Sequence, residues 1–318
     1  MDNITHTLAG GLLGQMGLKR QSRLAMVACL LGANAPDIDV FAPLVLRVDG
    51  IAFHRGPIHS VFAVPLLAAA ITGLLWIVDK LFPGNDDSRP FRTGALFIAT
   101  LLAVASHPFL DWLTTYAIAI FSPLSWRWYS GNAIFIIDWV YWLLMSVGIG
   151  WSWWRWRKHR PNPGRPARIA GLVMLGYIAF NLAESAIAEH STALALRRQG
   201  IEPELVVASP PPLAFWDRTM AWRSSQRWGS GLYNPADGLR LVRESQPLGL
   251  DNPKLARAKR STRHVRSFLV WSRMPIVVEQ DGHTYLTDQR YYGPLRSRFI
   301  PKGVRDFFRT HSFLVPLD

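Results

Sequence analysis

His107 and Asp111 stand four residues apart inside a long apolar run from Phe91 to Phe121. On a helix that spacing places an imidazole and a carboxylate on one face, one turn apart. Ionisable groups in hydrocarbon are costly, so the pair must face a protein interior or a wet cavity and find a partner there. A shared metal ion suits both; the plainer reading is a helix with a buried His–Asp hydrogen bond. Pro108, which lacks a backbone N–H, is expected to kink or interrupt that helix beside His107. Asp37 and Asp39 follow Pro36, and two carboxylates at i and i+2 repel unless they embrace a divalent cation, although Pro-Asp is also ordinary turn chemistry. His54 and His59, two of the chain's nine histidines, flank a Gly56-Pro57 bend that lets them converge. Between them Arg55 can hold an anionic substrate or one of the nearby carboxylates. His6 opens the first apolar stretch.

The elements that must position these residues are read from the apolar pattern. An apolar run containing Leu8-Ala-Gly-Gly-Leu-Leu-Gly14 and a second, Leu24 to Ala35, are each only about 13 residues, short of the ~20 needed to span hydrocarbon, and predict a re-entrant or tightly packed helical hairpin over 4–35. Full spans are expected at about 58–82, 91–121, 133–154 and 169–196. Asp79 to Arg92 is a polar loop with a Pro83-Gly84 turn. The N-terminus has no basic n-region or cleavage site and is expected to be retained. Residues 151 to 168 carry Arg155, Arg157, Lys158, Arg160, Arg165 and Arg168 without an acid, and the positive-inside rule places this loop in the cytoplasm. Alternation then puts His6, Asp37, Asp39, His54, His59, His107 and Asp111 on the opposite, extracytoplasmic side. Ligands of one site must agree in depth in this way. Asp138 is either a further polar contact near the site or an interfacial residue close to a helix end; Glu184, Glu189 and His190, on the last span, could line the same cavity, although Glu189-His190 could equally begin a solvated helical extension.

Composition agrees with a membrane domain followed by a polar one. The chain is 49% hydrophobic with 14 tryptophans, yet its mean hydropathy is only +0.11 because residues beyond about 196 are polar. That tail holds 20 Lys/Arg against 11 Asp/Glu, so it carries most of the net charge of +13. Anionic membrane lipids fit such a surface beside membrane spans better than nucleic acid does. The expected division is 1–196, an all-α multi-pass membrane domain that binds metal, and 197–318, a β-rich or α+β extracytoplasmic domain. Strand-like runs lie at Glu204 to Ala208, Ser267 to Trp271 and Pro275 to Glu279. Turn signals stand at Pro210-Pro-Pro212, Asn234-Pro235, Asp281-Gly282 and Tyr292-Gly-Pro294. Cys29, the single cysteine, has no disulfide partner and is a poor nucleophile candidate.

Four histidines and three carboxylates exceed the needs of one tetrahedral zinc and suit one to three ions, zinc or manganese. A metal there can acidify a water and polarise an ester or phosphoryl oxygen, with no serine or cysteine nucleophile required; no G-x-S-x-G, H-E-x-x-H or Walker sequence supports another route. The expected activity is hydrolysis of an ester or phosphoester in a lipid or lipid-linked molecule, with Arg55 positioning the anion. The alternative is a non-catalytic protein that binds or transports a divalent metal. The combination of Thr5-His6-x-x-x-Gly10, Pro36-Asp-Ile-Asp39, His54-Arg-Gly-x-x-His-Ser60 and Ser106-His107-x-x-x-Asp111 resembles the YdjM-type family of inner-membrane metal-dependent hydrolases, over roughly residues 1 to 155. The resemblance implies a multi-pass protein of the bacterial inner membrane whose matching histidines and aspartates bind metal. It supplies no substrate and does not reach the tail.

Overall fold

The computed structural model describes residues 1–83, 90–241, 245–292, 303 and 313–318. It forms two compact units, Met1–Ser130 with Ile136–Ile178, and Gly131–Phe135 with Ala179–Asp318.

The first unit is helical. Helix α1 (Asn3–Met16) starts where Asp2 caps it, its carboxylate accepting the Thr5 N–H at 3.0 Å. Helix α2 (Ala25–Asn34) returns against it, and the approach is close because of glycine. A Cβ on Gly10 would lie 2.5 Å from the Cys29 carbonyl oxygen, and one on Gly32 would lie 3.1 Å from both Thr100 O and Ala103 Cβ of helix α6 (Thr93–Trp112). Small residues therefore draw α1, α2 and α6 into one bundle core, and these three helices carry or adjoin His6, Asp37, Asp39, His107 and Asp111. After α2 the chain continues as a 3-10 segment, Ala35–Phe41, then the short helices α3 (Ala42–Leu46) and α4 (Gly50–Phe53) and a 3-10 turn, Pro57–His59. Helix α5 (Ala63–Leu81) packs on α6, helix α7 (Trp139–Arg157) packs on α1, and the 34-residue α8 (Arg165–Arg198) begins in the first unit and ends in the second.

Among the described residues four helical segments are long and apolar enough to cross a membrane: Ala25–Leu46, Ala63–Leu81, Thr93–Trp112 and Arg165–Arg198. The second apolar run therefore does not end at residue 35 as the hairpin reading expects, because the 3-10 segment and α3 extend it to 22 residues. Conversely, α7 forms where a span is expected, but its tryptophans and terminal arginines keep it outside this apolar set. Leu66, Leu74, Trp76 and Ile77 of α5 are exposed, as a lipid-facing surface requires. Pro108 does not interrupt α6, which runs through it to Trp112.

The second unit contains the sheets. Strands β1 (Leu205–Ser209), β2 (Arg218–Arg223), β3 (Arg227–Asn234) and β4 (Gly238–Leu241) form an antiparallel meander in that order, with β5 (Gln246–Pro247) also pairing with β3. Strands β6 (Pro275–Gln280), β7 (His283–Asp288) and β8 (Val315–Pro316) form a second antiparallel sheet. Asp281 and Gly282 both have positive φ, 52° and 80°, the two-residue geometry that suits the twist of a tight hairpin. Helix α9 (Pro253–Ser261) precedes α10 (Arg263–Trp271), and α10 corrects the strand expected at Ser267 to Trp271. Val265, Phe268 and Trp271 are buried at a spacing of three, so the apolar residues of that run share one helix face. The turn signals at Gly84 and at Gly293-Pro294 lie outside the described residues.

Candidate metal centre

Six of the seven histidines and aspartates singled out by spacing converge around His59, and His6 joins them through Asp111. His107 and Asp111 come from the last turns of α6, Asp37 and Asp39 from the 3-10 segment after α2, His54 from the end of α4, and His59 from the following 3-10 turn. Asp37, His59, His107 and Asp111 each offer a ligand atom within 4.8 Å of the others. His59 Nε2 lies 3.1 Å from His107 Nε2, 3.5 Å from Asp37 Oδ1 and 3.3 Å from Asp111 Oδ2. His107 Nε2 lies 3.3 Å from Asp37 Oδ1 and 3.5 Å from Asp111 Oδ2.

Those distances test whether a metal ion fits. A tetrahedral centre with bonds of about 2.0–2.1 Å has donors about 3.3–3.4 Å apart, since a tetrahedron's edge is about 1.63 times its centre-to-corner distance. The five measured separations bracket that value, so these two imidazole nitrogens and two carboxylate oxygens have the mutual spacing of metal ligands. Their bonding to the surrounding protein agrees. His107 Nδ1 is 2.7 Å from the Ala33 carbonyl oxygen and donates to it, which leaves Nε2 with its lone pair facing the other donors. Asp111 is fully buried; cationic groups face its Oδ1, and its Oδ2, which accepts no hydrogen bond, faces His59 Nε2 at 3.3 Å and His107 Nε2 at 3.5 Å. An oxygen placed between two imidazole nitrogens in this way is available to a shared cation.

The neighbours fix this arrangement. Asp39 Oδ1 is 2.8 Å from His54 Nδ1, while its Oδ2 accepts the Arg55 backbone N–H at 3.0 Å and lies 3.1 Å from His59 Nδ1, off the hydrogen-bond axis. Arg55 adopts φ 61°, a left-handed conformation that costs a side-chain-bearing residue about 1–2 kcal/mol. Its guanidinium pairs with Asp111 Oδ1 at 3.1 Å, donates to Thr114 Oγ1 at 2.9 Å and lies over the Tyr116 ring at 4.8 Å. It therefore serves Asp111, while its backbone serves Asp39. The Met1 amino group also lies against Asp111 Oδ1. His6 stacks on His107 with ring centroids 3.6 Å apart; its Nε2 is 3.4 Å from Asp111 Oδ1, and neither ring nitrogen is hydrogen-bonded.

Other candidates go elsewhere. Asp138 caps α7, accepting the Tyr141 N–H at 3.0 Å and the Tyr177 hydroxyl at 2.9 Å. Glu184, Glu189 and His190 belong to the second unit, where the Glu189 carboxylate accepts the Ala208 N–H at 3.1 Å. Sequence reading missed Thr114 and the Ala33 carbonyl. Thr114 carries a usable signal, three residues beyond Asp111 on the same helix exit. A backbone carbonyl carries none.

Comparison with known proteins agrees with the helical half. A relative in Bacillus subtilis (strain 168), the uncharacterized protein YfhP, is 30% identical over 146 residues, which cover 43% of this chain and 42% of the relative. The chain thus matches less than half the length of that relative. No solved structure matches. The model of the YdjM inner membrane protein family matches residues 1–188, a stretch that contains every residue of the cluster and more than half of the chain, so this membrane protein belongs to the YdjM inner membrane protein family.

Proposed function

We propose that the chain is a membrane-embedded metal-dependent hydrolase acting on an ester or phosphoester of a lipid or lipid-linked molecule. The observation that carries this reading is the donor set of His59, His107, Asp37 and Asp111, in which the first two and Asp111 are fully buried and Asp37 keeps 12% exposure. These residues would hold a divalent ion, zinc or manganese by donor type, and the chemistry such an ion would supply is Lewis acidity toward an ester oxygen and a water. The protein's own residues do the rest. His107 is held in one tautomer by Ala33, the Asp111 carboxylate is held by Arg55, which also donates to Thr114, and Asp39 secures the loop bearing His54 and Arg55. In this reading Arg55 acts through Asp111 as a positioning residue.

The location within apolar helices favours a substrate that arrives from the bilayer. The basic loop at 155–168 favours an outer-leaflet site, with the second unit extracytoplasmic. One experiment tests these points together. Metal-replete protein in vesicles of known sidedness is given a panel of lipid phosphoesters and carboxylic esters. Turnover should appear when the face opposite the 155–168 loop meets substrate, and His107→Ala should abolish it. Metal-loaded protein that cleaves nothing, yet carries divalent ions into liposomes through a path closed by His107→Ala, would replace hydrolysis with transport.

A further inference from the structure

Asp37 belongs to two donor groups at once. Besides the set with His59, His107 and Asp111, it stands with Asp39 and His54, again with one ligand atom from each inside 4.8 Å of the others. The two sets differ in access. The side chains of His59, His107 and Asp111 are 0% exposed, whereas Asp37 keeps 12% and His54 31%. One set is sealed and the other half-open.

We infer that the chain holds two divalent cations, an inner one in the sealed set and an outer one on Asp37, Asp39 and His54, with Asp37 giving an oxygen to each. The inference rests on the proposed metal centre and extends it to a second ion and to a narrower substrate class. Oδ1 of Asp37 is the atom that faces both inner imidazoles, at 3.3 and 3.5 Å, so its other oxygen is left for the outer set. Asp39 is anchored through Oδ2 by the Arg55 N–H, and its Oδ1 faces His54 at 2.8 Å, where a cation can replace the shared proton.

Charge points the same way. Asp37, Asp39 and Asp111 bring three negative side chains around one buried space, and the cationic groups beside them, Arg55 and the Met1 amino group, both face Asp111 Oδ1. Cations on both donor sets would leave the half-open side electropositive, which suits an anionic phosphoester better than a neutral carboxylic ester. Donor chemistry also separates the two ions: two imidazoles with two carboxylates suit zinc, and an oxygen-rich, half-open set with one imidazole suits manganese or magnesium. With three donors, Asp37, Asp39 and His54 would hold the outer ion, which would supply Lewis acidity toward a phosphoryl oxygen and a water, the division of labour of a two-metal site.

The test is metal binding by the purified full-length protein in detergent. Zinc and manganese are titrated, and bound metal is measured after gel filtration. Wild type should hold two ions per chain, the outer one leaving at least tenfold faster on chelation, and two bound manganese ions should give an exchange-coupled paramagnetic resonance signal. His54→Ala and His54→Gln should each hold one ion and lose the coupling. Wild type saturating at one ion, or both His54 variants retaining two coupled ions, overturns the inference; if neither variant accumulates, the wild-type stoichiometry and coupling decide it. The failures are separable. One ion with undiminished phosphoester turnover removes the second site and leaves the hydrolase, whereas two coupled ions without turnover remove the hydrolase and leave the site.

Discussion

Two buried charged clusters, one in each unit, differ in how their lone pairs are used. In the second unit the Asp288 carboxylate and the Arg290 side chain are both 0% exposed. Asp288 takes Arg290 Nε at 2.8 Å on Oδ1 and Arg290 Nη2 at 2.8 Å on Oδ2, with the Ser272 hydroxyl and the Met274 N–H also on Oδ2. Every oxygen is satisfied by protein. In the first unit Asp111 is buried to the same degree and its Oδ1 pairs with Arg55 Nη2 at 3.1 Å, yet its Oδ2 accepts no hydrogen bond and faces the Nε2 atoms of His59 and His107, and neither nitrogen of buried His6 is hydrogen-bonded. A satisfied cluster holds a fold together, whereas one with spare lone pairs facing one another is built for a ligand.

The largest expected effect breaks the satisfied cluster. Asp288→Asn leaves Arg290 without its bidentate partner and should destabilise the second unit by about 3–5 kcal/mol, read as faster hydrogen exchange of β6 and β7 amides, with metal content unchanged. Burial pushes the Asp288 carboxyl up, but the Arg290 charge and the hydrogen bonds outweigh it and hold the group below its usual value. The stabilisation from this ionisation is therefore present above the ordinary carboxylate pKa of about 3.9 and is lost as pH falls through the lower folded-state value. The gap between wild type and variant should accordingly shrink in acid.

The next effect sharpens the comparison from the other side. Divalent metal at about a hundredfold excess over its Kd should stabilise the first unit by about 2.7 kcal/mol, read as slower exchange of α6 amides, and chelator should remove that gain. The second unit's exchange should not move. Metal that protects both units equally, or protects α6 equally in His107→Ala, would erase the distinction between the clusters.

The smallest effect concerns Arg55, which links a left-handed backbone to both Asp39 and Asp111. Arg55→Lys keeps the charge and the backbone N–H but loses the planar fork onto Asp111 and Thr114, so bound metal should persist while turnover falls about tenfold. A fall in inner metal content matching the fall in turnover would instead make Arg55 part of the binding site itself.

Much of this was legible in the chain. Apolar length marked the bundle, and the Val-rich and turn-bounded segments near 205 and 275 marked strands. The motifs His54-Arg-Gly-x-x-His59 and His107-x-x-x-Asp111 announced their chemistry because local backbone geometry alone brings each pair together. Local geometry misled where an apolar run was too short to show its period, as at Ser267 to Trp271, and where a 3-10 segment prolonged an apolar run past Pro36. What the sequence by itself determined was which groups cannot remain alone in an apolar environment. Only the tertiary structure decided which atoms meet: that Asp111 rather than Asp37 or Asp39 pairs with the Arg55 side chain, and that Asp37 stands between two donor sets. Those outcomes depend on helices α1, α2 and α6 approaching through Gly10 and Gly32, and contacts between residues 50 to 75 positions apart leave no local periodicity to read.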